Sequence, residues 1–349
     1  MKWLKLGKNS KEPIWNRKNG KIMNQKRLGK TDLMVNPVGL GCMGLSHAYG
    51  VAKSWDESID FLKESFKTGY NFFDTAEVYT GKTSDGITSN NEELVGMALK
   101  EVRGDVVIAS KFGITIESDG LVPDSSPKSI QKSIEGTLKR LNIDCLDLYY
   151  QHRIDPKVEP EIVAGKMQEL IDEGLIKAWG ISEANEEYLR RADEVCQVTA
   201  IQNRYSMLAR WHEEIFPVCQ ELDITFVAFS PMANGFLTGM YNQNSRFDNL
   251  DYRNDMPQYT EKGFNSAKKL IELLNDIADE KNATPAQISL AWMMCKKNYI
   301  IPIPGTTSPE NMKSNFNAKD VKLYSSTIDE IDELLNSIDV PVFGGNNIK

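Results

Sequence analysis

From Val38 onward, short apolar runs alternate with longer amphipathic stretches. Eight runs read as strands, at 38–42, 70–74, 106–110, 145–151, 176–182, 199–202, 224–230 and 299–303. Several are unbroken in Val, Ile, Leu and aromatic residues, as in parallel strands buried on both faces. The stretches between them open on helix caps. Ser54 with Glu57 and Thr284 with Gln287 spell capping boxes, and Pro285 falls where a missing N–H costs nothing. Ala267, Leu270, Ile271, Leu274, Ile277 and Ala278 recur at helical spacing and form one buried stripe. Eight strand–helix units predict an α/β fold, a (β/α)8 TIM barrel rather than two domains. Ahead of it, residues 26–36 set Lys30, Thr31 and Asp32 between two short apolar runs, which predicts an N-terminal β-hairpin. Residues 233–262 are rich in Asn, Asp, Gly and Tyr and too long for an ordinary connection, which predicts a functional loop at the C-terminal face.

Composition narrows the partners. The chain has 349 residues, is 41% hydrophobic and 26% charged, and carries a net charge of −8. That suits a soluble globular protein and disfavours nucleic acid, which needs a basic face. No apolar run approaches the ~20 residues of a membrane span. Residues 1–22 differ, with seven Lys or Arg against Glu12 alone. They read as a basic extension or a mis-assigned start, with one barrel domain over 23–349. The five cysteines are widely spaced with no CxxC, which suits reduced thiols in the cytoplasm.

One motif misleads. Gly39, Gly41 and Gly44 match the dinucleotide fingerprint, but that fingerprint needs a helix opening directly on its last glycine. Here the next helix signal is Ser54, ten residues on.

The chemistry lies at the strand ends, where barrels of this kind place their active sites. Asp74 ends the second strand and Tyr79 follows it. Lys111 ends the third and His152 the fourth. Ser182, Gln202, Phe229 and Ser230 end the fifth to seventh. A lysine ammonium near Tyr79 would lower its pKa toward the range useful for a general acid. Asp74 would hold the lysine, and His152 would orient a substrate oxygen. The three histidines lack zinc-like spacing, so no metal is expected. After the last strand, Ser308 caps a helix opening on Pro309, a place suited to a phosphate.

Together these stretches resemble the aldo-keto reductase family. The resemblance rests on 40–46, Phe73 to Tyr79, 91–96, 111–113, 147–153, 180–184, 202–206, 229–239 and 303–306. It implies a metal-free barrel enzyme that reduces a small-molecule aldehyde or ketone with NADPH, NADH being the other candidate. It assigns Asp74, Tyr79, Lys111 and His152 as the catalytic tetrad, with Tyr79 as general acid. Met43 and Gly44 would line the cofactor site, and Ser182 and Gln202 would bind the carboxamide. Phe229 would stack on the nicotinamide. Ser230, Pro231, Met232, Gly235 and Leu237 would line the diphosphate path. Gly305, Thr306, Thr307, Asn311 and Asn315 would hold the adenosine 2′-phosphate end. Two features depart from the family pattern. Tyr79 is followed by a longer loop over 80–89, and Thr307 stands where many relatives carry Arg, with Lys313 one turn on to compensate. Two other functions use the same residues: a cofactor-sensing module on this fold, and a Schiff-base barrel using Lys111. Substrate, reaction direction and oligomeric state are not legible.

Overall fold

The computed structural model describes residues 25–117 and 120–344, so the basic extension lies outside the described residues. A two-stranded antiparallel hairpin comes first, β1 (Lys26–Arg27) with β2 (Met34–Val35). Then β3 (Leu40–Gly41), α1 (Trp55–Thr68) and β4 (Phe72–Asp74) begin the barrel. The hairpin β5 (Thr80–Lys82) and β6 (Thr88–Asn90) leads into α2 (Asn91–Leu99) and β7 (Val107–Phe112). A second hairpin, β8 (Ile114–Glu117) and β9 (Gly120–Pro123), precedes α3 (Pro127–Leu141). There follow β10 (Leu146–Gln151), α4 (Pro160–Asp172), β11 (Ile176–Ser182), α5 (Glu186–Val195) and β12 (Ala200–Arg204). The chain continues through α6 (Phe216–Leu222), β13 (Thr225–Phe229), α7 (Glu261–Lys281) and α8 (Pro285–Lys296). It ends with β14 (Ile300–Pro302), α9 (Pro309–Asn317) and α10 (Ser325–Ser337).

Eight strands form one parallel sheet in the order β14-β13-β12-β11-β10-β7-β4-β3. The sheet closes on itself where Gly39 N–H donates to Pro302 O at 3.0 Å and Gly41 N–H to Pro304 O at 3.3 Å. The fold is the expected (β/α)8 barrel, with every expected strand present. Both capping boxes form, at Ser54 and Thr284. The α7 stripe is buried as read, apart from half-buried Ile271.

Side chains alternate along each strand, so every second residue enters the barrel. Phe72, Val107, Ala109, Leu148, Tyr150, Ala178, Ala200, Val227 and Ile301 fill it, and Leu28 and Val35 of the hairpin join the same cluster. The complementary set, with Ile108, Trp179 and Phe226, packs against the helices in a larger outer core. This register decides what reaches the mouth. Two residues beyond Phe72 is Asp74, beyond Ala109 is Lys111, and beyond Tyr150 is His152. The same step gives Ser182 on β11, Gln202 and then Arg204 on β12, and Phe229 on β13.

One expectation needs correction, and one hairpin went unread. The stretch after Tyr79 is a hairpin rather than a loop, with Thr80 opposite Asn90 and Lys82 opposite Thr88. Thr83 N–H closes its turn on Ile87 O at 3.0 Å, and Gly86 takes φ 80° there, a conformation glycine tolerates. Asp85–Gly86 between Thr-rich runs was the available signal. The β8–β9 hairpin went unread for the same reason, since Asp119–Gly120 also divides two apolar runs.

The closure is tight. A Cβ on Gly41 would stand 2.8 Å from Ile303 O. Gly41→Ala is therefore expected to cost about 1–3 kcal/mol of stability as the seam is forced apart. Urea unfolding reads this as a lower midpoint, and an unchanged midpoint would show that the seam yields freely.

Candidate active site

Lys111 is fully buried and Asp74 nearly so. Lys111 Nζ donates to Asp74 Oδ1 at 2.5 Å, to Thr75 O at 2.8 Å and to Tyr79 Oη at 3.3 Å. The other Asp74 oxygen accepts from Gln202 Nε2 at 2.7 Å. An ammonium has three donors, and all three are used. Burial opposes the Lys111 charge, but Asp74 and Tyr79 together carry its pKa above the usual lysine value. That is a held ammonium rather than the free amine a Schiff base requires.

Tyr79 is reached through a short loop fixed by Asn91. Asn91 N–H donates to Tyr79 O at 3.0 Å. Its side-chain amide donates to Cys42 O at 2.9 Å and Ser46 Oγ at 2.7 Å, and accepts from Thr75 Oγ1 at 2.6 Å. Ser46 Oγ donates in turn to Tyr79 O at 3.0 Å. The phenol stands edge-on to the His152 ring, centroids 5.8 Å apart, and stacks on His47 at 5.9 Å.

The pKa directions revise the expectation for Tyr79. Burial raises its pKa above the ordinary value and outweighs the lowering by Lys111. The phenol is thus protonated at neutral pH, the form a proton donor needs. His152 lies well below its usual value, chiefly through burial and then through the charges of Lys111, Arg153 and His47. Its ring is neutral at pH 7, and Nδ1 is buried without a partner.

The expected cofactor residues divide by position. Ser182 is buried at the end of β11 and accepts from Arg153 Nη1 at 3.3 Å. Gln202 is buried on β12, and half-buried Phe229 caps the inner cluster beside it. Ser230, Ala233, Asn234 and Gly235 all have positive φ, 50°, 48°, 61° and 98°, so the backbone after β13 folds back on itself. Pro231 and Met232 are buried in that turn. The Leu237 side chain lies in the outer core and its N–H is spent on Met232 O at 3.2 Å. Met43 and Gly44 are half-buried in a single turn after β3, with α1 starting only at Trp55. Past β14, Gly305 is exposed, Thr306 and Thr307 are half-buried, Asn311 is exposed and Asn315 is buried. Ser308 caps α9 as read, accepting from Asn311 N–H at 3.2 Å. Lys313 is tied to Glu64 at 3.2 Å rather than left free beside Thr307.

The segment after β13 returns to the loop after β3. Tyr252 N–H donates to Ala48 O at 3.3 Å, and the Tyr49 and Tyr252 hydroxyls lie 2.9 Å apart. Asn234 Nδ2 donates to both hydroxyls. Arg253 pairs with Asp251 at 2.5 Å, donates to Tyr241 Oη at 2.8 Å and lies 4.3 Å over the Phe247 ring.

A network that sequence reading missed stands behind Tyr79. Arg140 of α3 pairs with buried Glu92 at 2.5 Å and lies 3.9 Å from Glu77, which also accepts from Ser133 Oγ at 3.2 Å. Its members come from separate elements, so no local pattern announces it.

Eight parallel strands thus carry a buried Lys–Asp–Tyr–His constellation at their C-terminal ends, the place where (β/α)8 barrels build their active sites. Residues 37–336 match the Aldo/keto reductase family. A probable aldo-keto reductase of Glycine max is 36% identical over 320 residues, covering 90% of this chain and 89% of that protein. The chain belongs to the aldo-keto reductase family, and is an NAD(P)-dependent oxidoreductase. A glycerol dehydrogenase from Gluconobacter oxydans superposes with a TM-score of 0.82 at 22% identity, over 93% of this chain and 99% of that one, a likeness of fold. An aldo-keto reductase from Bacillus halodurans, solved in its holo form, gives 0.71 at 26% identity over 90% and 96%.

The Glu77 carboxyl is pushed up to about 7, chiefly by burial and further by the nearby Glu92. A carboxyl whose pKa is raised by folding contributes stability at low pH and loses it as pH climbs through the folded value. Wild-type stability should therefore fall by about 3 kcal/mol between roughly pH 4.5 and 7 relative to Glu77→Gln. Urea unfolding of both proteins across that range checks it. A pH-independent difference between them would remove Glu77 as the cause.

Proposed function

We propose that the protein reduces an aldehyde or ketone to an alcohol with NADPH, Tyr79 supplying the proton. The observation that carries this reading is the single buried ammonium reaching Asp74, Thr75 O and Tyr79 Oη together. The residues fit a nicotinamide dinucleotide. Ser182 and Gln202 offer a hydroxyl and an amide at adjacent strand ends, Phe229 offers an aromatic face, and the turn after β13 brings backbone to the cleft. When bound, the dinucleotide supplies a hydride.

The rest of the chemistry belongs to the chain. Neutral His152 and Tyr79 stand edge to face with ring centroids 5.8 Å apart, and a carbonyl oxygen held between them would be polarised by two hydrogen bonds. As negative charge grows on that oxygen, Tyr79 gives up its proton. The Lys111 ammonium beside Oη then stabilises the phenolate left behind. Asp74 keeps the ammonium aimed and charged. Positioned proton transfer of this kind is worth about 10²–10⁴ in rate.

Tyr79→Phe should therefore bind NADPH as wild type does and lose at least about a hundredfold in turnover. Loss of NADPH absorbance with a panel of aromatic and short aldehydes, methylglyoxal and quinones reads both effects. Equal turnover in the variant would end the assignment of Tyr79 as acid.

The preference for NADPH over NADH belongs to the same reading. Thr306 and Thr307 sit at the capped start of α9, where their hydroxyls and the positive end of the helix dipole suit a 2′-phosphate. With Lys313 held by Glu64, the preference at this end rests on uncharged donors. Thr307→Arg should raise the NADPH-to-NADH ratio of kcat/KM about tenfold through a charge-assisted contact. A ratio that stays put would place the adenosine end elsewhere. The thiols, three of five buried and all unpaired, suit a reducing compartment, and we place the enzyme in the cytoplasm.

A further inference from the structure

Arg204 ends β12 on the inward register, two residues beyond Gln202. The residue is 9% exposed, with the rings of Phe229 and Phe343 at 4.9 and 5.3 Å from Cζ. The guanidinium carries five N–H donors. Among the described residues it makes one hydrogen bond, a long one of 3.3 Å from Nη1 to Asn234 Oδ1. Three other largely buried arginines, Arg103, Arg140 and Arg253, each hold a carboxylate at 2.5–2.7 Å. Among the described residues Arg204 holds none. The acid in its neighbourhood, Glu183, lies 3.5 Å from Arg153 instead. Burial pulls the Arg204 pKa down from the usual arginine value, yet arginine remains a cation in proteins.

A buried, unpaired cation is strongly unfavourable. Here it sits at the mouth, between the strand end that carries Gln202 and the turn that carries Asn234. The missing partner is an anion that arrives from the cleft. We propose that Arg204 is an oxyanion-binding residue whose guanidinium pairs with a charged oxygen of the bound ligand. Two sources supply that chemistry: the diphosphate of a dinucleotide, or a carboxylate on the carbonyl substrate. The identity of the ligand, though not the pairing itself, rests on the reductase reading above.

The test compares wild type with Arg204→Gln and Arg204→Lys. NADPH affinity is read by fluorescence. Substrate anion recognition is read as the kcat/KM ratio of 4-carboxybenzaldehyde to its methyl ester. A rise of about tenfold or more in NADPH Kd with an unchanged ratio assigns the diphosphate. A comparable fall in the ratio with unchanged Kd assigns a substrate carboxylate. Arg204→Lys should recover part of either loss, because it keeps the charge without the planar fork. Both readouts within twofold of wild type, at matched melting temperature, overturn the proposal.

Calorimetry with sodium pyrophosphate and sodium benzoate keeps the pairing testable without turnover. Wild type should bind one of them, and Arg204→Gln should not. If neither variant folds, the wild-type titration alone decides, and no binding of either anion overturns the proposal. A wild type that binds pyrophosphate or benzoate but neither binds NADPH nor reduces any aldehyde would remove the reductase reading and leave the pairing standing.

Discussion

A lysine buried in the centre of a protein must find a partner for every donor, and the structure is arranged so that Lys111 does. The desolvation penalty for such a pair is several kcal/mol per ion, and only good geometry offsets it. Here the aspartate comes from β4, the carbonyl from the residue after it, and the phenol from the loop beyond. Gln202 from the far side of the barrel takes the second carboxylate oxygen. Register is thereby pinned across the sheet. A slip of one residue on β4 or β7 would turn an ion outward and leave its partner stranded in apolar surroundings. The same bonds that make the charge tolerable also aim the tyrosine.

The barrel was legible because its strands are buried on both faces and so read as unbroken apolar runs. Asp74, Lys111 and His152 were legible because polar residues closing such runs can only lie at a strand end. What sequence conveys poorly is the balance between opposing effects at one atom. A lysine near Tyr79 suggested a lowered phenol pKa, but the burial that brings the two together acts more strongly in the other direction. The Glu77, Glu92 and Arg140 network was illegible for a different reason. Its members lie on the loop after β4, on α2 and on α3, and each alone is an ordinary surface-type residue. Arg204 looked like part of a matched stretch; only the lack of a carboxylate paired with it among the described residues, a fact about three dimensions, sets it apart from the other buried arginines.

The two layers of the molecule carry different constraints. The outer core joins helices to strands through large apolar side chains and tolerates exchange of one hydrophobic residue for another of similar volume. That tolerance accords with a fold shared at 22% identity. The inner layer is narrower. A Cβ on Gly180 would stand 2.4 Å from Ala200 O and 2.5 Å from the Tyr150 ring. Such contacts fix the lumen just beneath the reacting groups, so that its floor is rigid and its chemistry is confined to the rim.

At that rim the loop after β3 and the long segment after β13 are joined through Tyr49, Tyr252 and Asn234. They leave the barrel from strands that are not neighbours, yet neither swings without the other. Moving either segment away thus breaks several hydrogen bonds together rather than one at a time. A ligand that settles beneath the joined loops is retained for as long as the join survives.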